Sequence, residues 1–491
     1  AAMLAVGLVF FLTGYPISYF AAKHGVDIDL LTRGAGFGYL GSTVTSLIYA
    51  TFTFIFFAIE AAILAMALKA LFGIPVAIGY ILCAIAVVPV VTHGITAISR
   101  FQLGTQSLWL ALQIAALLAV AWFEFERLPA WSQYQGSAQP GAGGTFNLAL
   151  FGAASAMLFA LIAQIGEQVD YLRFLPPQNT IGKGEWWSAL LLAGPGWILI
   201  GIVKLLAGSF LAWLAFSAGA DLVSATDPTH MYQAAFGYIT GSPALSLLLA
   251  GLVVIISQMK INVTNAYAGS IAWSNFFSRV THSHPGRVVW LVFNVVIALV
   301  LMELGIYQAL ENTLSLFAIA AVSWLGTISA DLTINRWLRL RPPGLEFRRA
   351  HLYDVNPVGT GSMLIATGVG LSCYFGVFGA AAASLTHYLT LLATMLAAPL
   401  LAWYTGGRYY IARTPELLHE DGQSRQCCIC ENHFELEDMS HCPAYQGPIC
   451  SLCCSLDSRC MDRCKPDSQV SSLLQRWLSR FLPASIAQRV D

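Results

Sequence analysis

Most of the cysteines in this chain crowd into residues 427–464, at the spacing of metal ligands. Cys427 and Cys430 form one CxxC pair and Cys450 and Cys453 another. Cys442 lies between them, and Cys454, Cys460 and Cys464 follow. Thiolates two residues apart can grip one ion from a single tight turn, so repeated pairs imply one or two closed tetrahedral sites. The expected cofactor is zinc, one or two ions in a structural role; an iron–sulfur cluster or a redox switch fits the same spacing. No apolar run here is long enough for a conventional core. A metal would therefore supply most of the folding free energy, about 10–16 kcal/mol apparent for structural zinc in small peptides. Eight ligands suit two four-cysteine sites, with Cys428 as the spare and His433 or His441 as possible replacements. A reducing cytosol disfavours a disulfide knot.

A second set of reactive side chains interrupts long apolar runs. Glu60 sits inside TFTFIFFAIEAAILAMAL, and Lys260 inside VVIISQMKINVTNAYAGS with Asn262, Thr264, Asn265 and Ser270 close by. Lys204 breaks another run, and Gln164, Glu167 and Asp170 recur at one-turn steps on one helix face. A charge at mid-bilayer costs at least about 2.5–3.5 kcal/mol on insertion scales. Such residues either pair with each other and lock helices together, or line a polar site for a ligand or proton. The coexistence of several polar spans favours the site.

The elements that must position these groups are membrane helices. The 491 residues are 57% hydrophobic and 10% charged with net charge −1, which leaves no basis for nucleic-acid binding. Eleven apolar stretches each suffice to cross a bilayer: about 1–20, 40–70, 76–95, 103–123, 147–172, 187–216, 243–275, 288–304, 311–332, 358–380 and 383–405. They are too long and too uniformly apolar for barrel strands, so the class is all-α and polytopic. Basic residues such as Lys23, Arg33, Arg100, Arg173, Arg279, Arg336 and Arg408 fall in alternate loops, against Lys69 and Arg127 opposite, which predicts a cytosolic C-terminus. Behind the cysteines, Val470, Leu473, Leu474, Trp477, Leu478 and Phe481 share one face with Arg476 and Arg480 opposite, the pattern of an amphipathic helix. It reads as a connector toward an output domain, or as a membrane-surface helix.

Three segments resemble the nucleobase–cation symporter-1 family, the purine, cytosine, allantoin and hydantoin permeases. GYPISYFAAKHGVDIDLLTRGAGFGYLGS is similar to its second helix and following loop, Asp170–Phe174 (DYLRF) to the end of its sixth helix, and Asn262–Asn265 (NVTN) to its eighth. The resemblance covers about 1–410 and implies a five-plus-five inverted repeat with two discontinuous helices and a ligand at midplane. It also implies that this chain begins at the second of twelve helices. By the same resemblance Phe56 takes the place of a stacking aromatic, Glu60 that of a ring-reading Gln, and Asn265 that of a ligand-contacting Asn; Phe159 is the nearest candidate for the second aromatic. Gln164 joins them as a ligand-binding candidate. Counting back from Asn265 puts Lys260 at the family's sodium site, so no sodium is expected. Glu60 and Lys260 become the ion- or proton-coupling residues, or else Lys260 pairs with a carboxylate such as Glu60.

The domains expected are a transporter-like membrane domain at 1–410, a cysteine-rich metal module at 411–467 and a connector helix at 468–491. The arrangement resembles bacterial sensors in which a transporter-like region precedes a histidine kinase or nucleotide cyclase, although no catalytic motif of either occurs in 1–491. The expected role is a sensor of a small heterocyclic, nucleobase-like ligand in the inner membrane of a bacterium, in contact with the lipid bilayer and forming a homodimer through its output. The alternative is a proton-coupled symporter with a regulatory zinc tail.

Overall fold

The computed structural model describes residues 1–134, 146–305, 310–414, 424–457, 459–460 and 462–479, with side chains at 310–312 and 477 left aside. Eight helical runs among the described residues are long and apolar enough to cross a membrane. The chain opens with α1 (Ala2–His24), ended by Gly25 in the left-handed conformation, and the short α2 (Ile28–Thr32), capped by Asp27 accepting from the Leu30 N–H at 2.8 Å. Then come α3 (Gly41–Phe72), α4 (Val76–Thr92), α5 (Gly94–Phe123) and the short α6 (Leu128–Ser132).

The next span is broken. Helix α7 (Leu148–Phe159) passes through a tight 3₁₀ turn at Ala160–Ala163 into α8 (Gln164–Leu172). After α9 (Gln178–Ile181), α10 (Lys183–Ala193) and α11 (Trp197–Ser217) form another interrupted span, and α12 (Leu222–Thr226) and α13 (Pro228–Thr240) lead into α14 (Pro243–Thr281). Proline at the first position of α13 and α14 starts each helix where its missing N–H costs nothing. Helices α15 (Arg287–Glu303), α16 (Leu310–Ala330), α17 (Pro357–Tyr374), α18 (Ala380–Ser384) and α19 (Thr386–Thr405) complete the bundle. The helices α4, α15 and α17 fall on three of the shorter apolar stretches, so each stretch expected from sequence carries a helix.

Helices α3 and α14 pack along one another through small residues. A methyl group on Gly269 of α14 would lie 2.6 Å from Thr53 Oγ1 of α3 and from Asn294 Oδ1 of α15, so only glycine permits that crossing. One core, with Phe10, Ile17, Phe52, Phe159 and Trp324, joins α1, α3, α7 and α16; another, with Phe57, Val87, Tyr267 and Leu291, joins α3, α4, α14 and α15. Leu4, Leu8 and Leu12 of α1 stay exposed on one face, as lipid-facing residues do.

The cysteine module is two small hairpins and two helices. β1 (Arg425–Gln426) pairs antiparallel with β2 (His433–Phe434), and β3 (Met439–Cys442) with β4 (Gly447–Cys450). α20 (Ser451–Leu456) and α21 (Val470–Leu478) follow. Arg480 and Phe481 of the amphipathic pattern lie outside the described residues.

Candidate functional site

Glu60 lies near the middle of α3, with Gln258 on α14 and Lys204 on α11 as its polar neighbours. Phe56, one turn earlier, is buried and tilted against Phe52 with ring centroids 4.4 Å apart. Asn265, two turns beyond Gln258 on α14, is 1% exposed, and its amide nitrogen has no hydrogen-bond acceptor among the described residues. Gln164 opens α8 at the helix break, and Glu167 one turn later is buried with one carboxylate oxygen unpartnered. Unsatisfied polar groups inside a protein cost free energy, and Glu167 on α8 and Asn265 on α14 each keep one that a polar ligand could meet.

Two expectations need correction. Lys260 does not pair with Glu60: its ammonium turns to α5, donating to Gln102 O at 2.9 Å, Gln106 Oε1 at 2.8 Å and Thr105 Oγ1 at 3.4 Å. Three neutral oxygens satisfy its three N–H bonds, which removes the drive to reach a carboxylate on α3. Phe159 is fully buried, stacked on His387 at 5.4 Å and edge-on to Phe10 and Tyr388. Packed among these three rings in the core, it is a packing residue and not an open ligand platform.

The other candidate centre is in the module. Cys427, Cys430, Cys450 and Cys453 place their sulfurs within 4.8 Å of one another, close to the spacing of about 3.8 Å that Zn–S bonds of about 2.3 Å require in a tetrahedron. Every cysteine is a free thiol. The hairpin β3–β4 performs the gathering by returning the second CxxC onto the first. The N–H groups of Ile429 and Cys450 point at Cys427 Sγ from 3.5 and 3.4 Å, and that of Cys453 at Cys450 Sγ from 3.4 Å. Burial opposes ionisation of Cys427, yet backbone donors from Cys430, Cys450 and Ile429 outweigh it and hold the thiol at about 6. Burial pushes Cys450 up to about 11. A divalent ion would reverse that second shift, because a coordinating thiol is deprotonated outright.

Only this one four-thiol group forms among the described residues, so the eight cysteines do not divide into two such sites. Cys442 pairs with Gly447 at the turn end of the hairpin whose base pairs Met439 with Cys450. Three residues of strand, about 3.3 Å each, separate it from the cluster. Cys454, Cys460 and Cys464 are electrostatic neighbours on the far side and do not reach ligating distance.

Sequence reasoning missed how tightly the module is clasped to the bundle. Arg349, in the loop before α17, donates to the Cys454 and Asp457 carbonyls at 2.7 and 2.8 Å and to Asp462 at 3.0 Å. Lys465 reaches back to Leu352 O and Asp354, and Arg348 to Met439 O. The carbonyl of Ser455, two residues past Cys453, faces both the Tyr39 hydroxyl at 3.4 Å and His282 Nδ1 at 3.2 Å. Tyr39 precedes α3 and His282 ends α14. Beside them Asp29 accepts from Arg33 and from Arg279, at 2.8 and 2.6 Å, and Arg279 also donates to the Ser42 and Ser46 hydroxyls of α3. The run of arginines in 336–349 was the available signal, but it reads equally as membrane orientation.

With this geometry in hand, the likeness to solved structures can be read. The chain is similar to Mhp1, a nucleobase-cation-symport-1 family transporter, in a closed conformation with bromovinylhydantoin bound: TM-score 0.57 and 16% identity over 83% of this chain and 85% of that one. Mhp1 in its inward-facing conformation gives a TM-score of 0.57, 16% identity and coverage of 83% of each chain. A Na+-coupled sialic acid symporter in a substrate-bound outward-open state gives 0.51 and 12%, over 82% of this chain and 89% of its own. No family model matches the sequence, and no curated protein matches it. At these identities the likeness defines the fold: a multi-pass membrane protein with the nucleobase–cation symporter-1 transporter fold.

Proposed function

We propose that this protein is a transporter-fold receptor that binds a nucleobase-like heterocycle mid-membrane and passes the change through a zinc-holding cysteine module to a cytosolic output such as a histidine kinase. The observation that carries this reading is the shared Ser455 carbonyl. Phe56 and Glu60 on α3 and Asn265 on α14 are the ligand candidates, and the module-side ends of the same two helices converge on one residue two positions from a metal-ligating cysteine. A shift of α3 against α14 on ligand binding would alter both contacts at once. Phe56 would stack on a planar ring, Glu60 would accept from ring N–H groups, and Asn265 would read the ring edge. This reading places the protein in a bacterial inner membrane with its C-terminus in the cytosol, and a kinase output would make it a homodimer. Zinc suits four thiolates and needs no redox chemistry.

Hydrogen exchange on the full chain in nanodiscs tests the coupling. A saturating nucleobase should change exchange across 439–457, and Tyr39→Phe with His282→Ala should abolish that change while ligand still binds. Binding with no change in the module would refute the sensor. The broken helix at 160–163, with Gln164 and Glu167 beside it, favours a second reading, a sodium-independent, proton-coupled symporter using Glu60. Proton-driven accumulation of labelled base in proteoliposomes supports that reading; tight binding without flux supports the receptor.

A further inference from the structure

Two spanning segments end side by side on the module side, and both end in the same order of residue types. The span Thr313–Asn335 gives way to Trp337 and then Arg339; α19 carries Trp403 and Tyr404 in its last turn and is followed by Arg408. All five side chains are exposed. The two ends touch: a methyl group on Gly407 would lie 2.6 Å from Leu340 O, and Leu340 packs with Ala402 and Tyr410. Large amphipathic rings at the end of a span sit at the level of lipid headgroups, and arginines just beyond them reach into the headgroup layer.

Neither arginine has a counter-charge in the protein. Arg339 makes no side-chain hydrogen bond or ion pair among the described residues, and Arg408 bonds only to the neutral hydroxyl of Tyr409, at 2.9 Å. The carboxylates at this end are committed elsewhere. Asp331 is paired with Arg341, Glu346 with Arg348 and Asp354 with Lys465, while Glu437 has His24 and Arg348 as neighbours. Arg336 is turned toward α1, 4.8 Å above the ring of Phe20. Arg339 also holds the left-handed position that ends its helix, at φ 56°, with the Leu340 N–H closing the cap on Asn335 O at 2.8 Å. Glycine is the easy residue in such a cap, so the turn itself does not call for an arginine.

We propose that Arg339 and Arg408 form a headgroup site for an anionic phospholipid of the module-side leaflet. The lipid phosphate supplies the counter-charge that the protein withholds, because planar guanidinium groups present paired N–H donors that match phosphate oxygens. The acyl chains lie along Trp403 and the exposed Leu396 and Leu400 of α19. The site adjoins the clasp on the module: Arg348 follows Arg339 in one loop and Arg413 follows Arg408, and they donate to Met439 O and His441 O at 2.7 and 2.9 Å. A headgroup held by both arginines ties that loop to the last span.

The test is native mass spectrometry of the full chain in neutral detergent, titrated with phosphatidylglycerol or with phosphatidylcholine of the same chains. Phosphatidylglycerol should bind more tightly. Arg339→Gln and Arg408→Gln should each weaken it about fivefold, the worth of one basic residue at an anionic surface, and together should remove the preference. Arg100→Gln, which changes an exposed arginine on α5, should leave it unchanged. Equal binding of the two lipids overturns the proposal. A loss in Arg100→Gln as large as in Arg339→Gln also overturns it, since only diffuse surface charge would then be at work. Glycerol phosphate competing as well as the lipid would make this a site for free phosphate and overturn the lipid. The wild-type comparison of the two lipids decides even if a variant does not fold.

Discussion

Charge is treated in opposite ways at the module end of α3 and α14 and around their mid-length. At the module end every central charge has a counter-charge: Asp29 with Arg33 and Arg279, Asp331 with Arg341, Asp354 with Lys465, Asp462 with Arg349. At mid-length Lys204 has no ion-pair contact among the described residues, Lys260 bonds only to neutral oxygens, and Glu167 and Asn265 keep unpartnered atoms. Paired charges of the first kind fix one arrangement, because breaking a buried pair leaves the survivor stranded. Unpaired ones of the second kind store a cost that a ligand can relieve. The same residue types thus build a rigid joint in one place and a receptive site in the other.

Removing the ion proposed for the four-thiol cluster should give the largest effect that separates the two regions. A strong chelator, or Cys450→Ser with Cys453→Ser, should strip the ion and open 425–479 to protease while the membrane helices keep their helicity. Loss of the whole protein instead would make the module part of the bundle's own core. The metal content is read by mass spectrometry of the purified chain.

Next in size is the joint. Arg279→Ala takes one of the two arginines from Asp29 and leaves it with Arg33 alone, so it should cost less than the about 3–5 kcal/mol of a fully broken buried pair, seen as an earlier thermal transition in detergent. Adding Asp29→Asn removes the counter-charge of buried Arg33 as well and should deepen the loss; a double variant no less stable than Arg279→Ala would mean that the Asp29 pairs contribute nothing to the joint. Glu60→Gln should cost far less stability, because no ion pair is broken, yet should change nucleobase affinity or its pH dependence. An indifferent Glu60→Gln would return that residue to a structural role and erase the contrast drawn here.

The smallest expected effect is a pH dependence in the docking loop. His351 bridges Arg413 O at 3.1 Å and Ser440 Oγ at 3.2 Å, and burial pulls its imidazole below the usual 6.5. The folded dock therefore favours the neutral ring. Its contribution is present above pH 6.5 and is lost as pH falls through the lower folded value. Hydrogen exchange at 439–442 should rise on acidification, and His351→Gln should flatten that rise.

Much of this was legible in sequence because it follows from local rules. Apolar runs long enough to span a bilayer gave helices at each expected place, since lipid leaves the backbone no other partner. Two CxxC pairs promised a metal site, and their four thiols come together in one cluster that could hold an ion. Phe56 and Glu60 lie on α3 and Asn265 on α14, two helices that pack along one another, and Asp170 of the DYLRF segment accepts from Tyr49 of α3 at 2.8 Å. Phe159 and the fate of Cys442 were not legible, because each depends on which neighbours arrive from elsewhere in the chain. A ring's spacing on its helix does not reveal that His387, more than two hundred residues later, will cover it.

The sequence by itself determined that this is a helical membrane protein with charges placed inside its spans and a thiol-rich tail, because hydropathy, period and ligand spacing are properties of neighbouring residues. Tertiary structure alone decided which charges meet and which do not. It turned Lys260 away from Glu60, set Lys204 and Lys260 beside the one ring of Trp109, and brought the ends of α3 and α14 to a single carbonyl of the module, because Coulomb energy and hydrogen bonding depend on distances that only the folded packing sets.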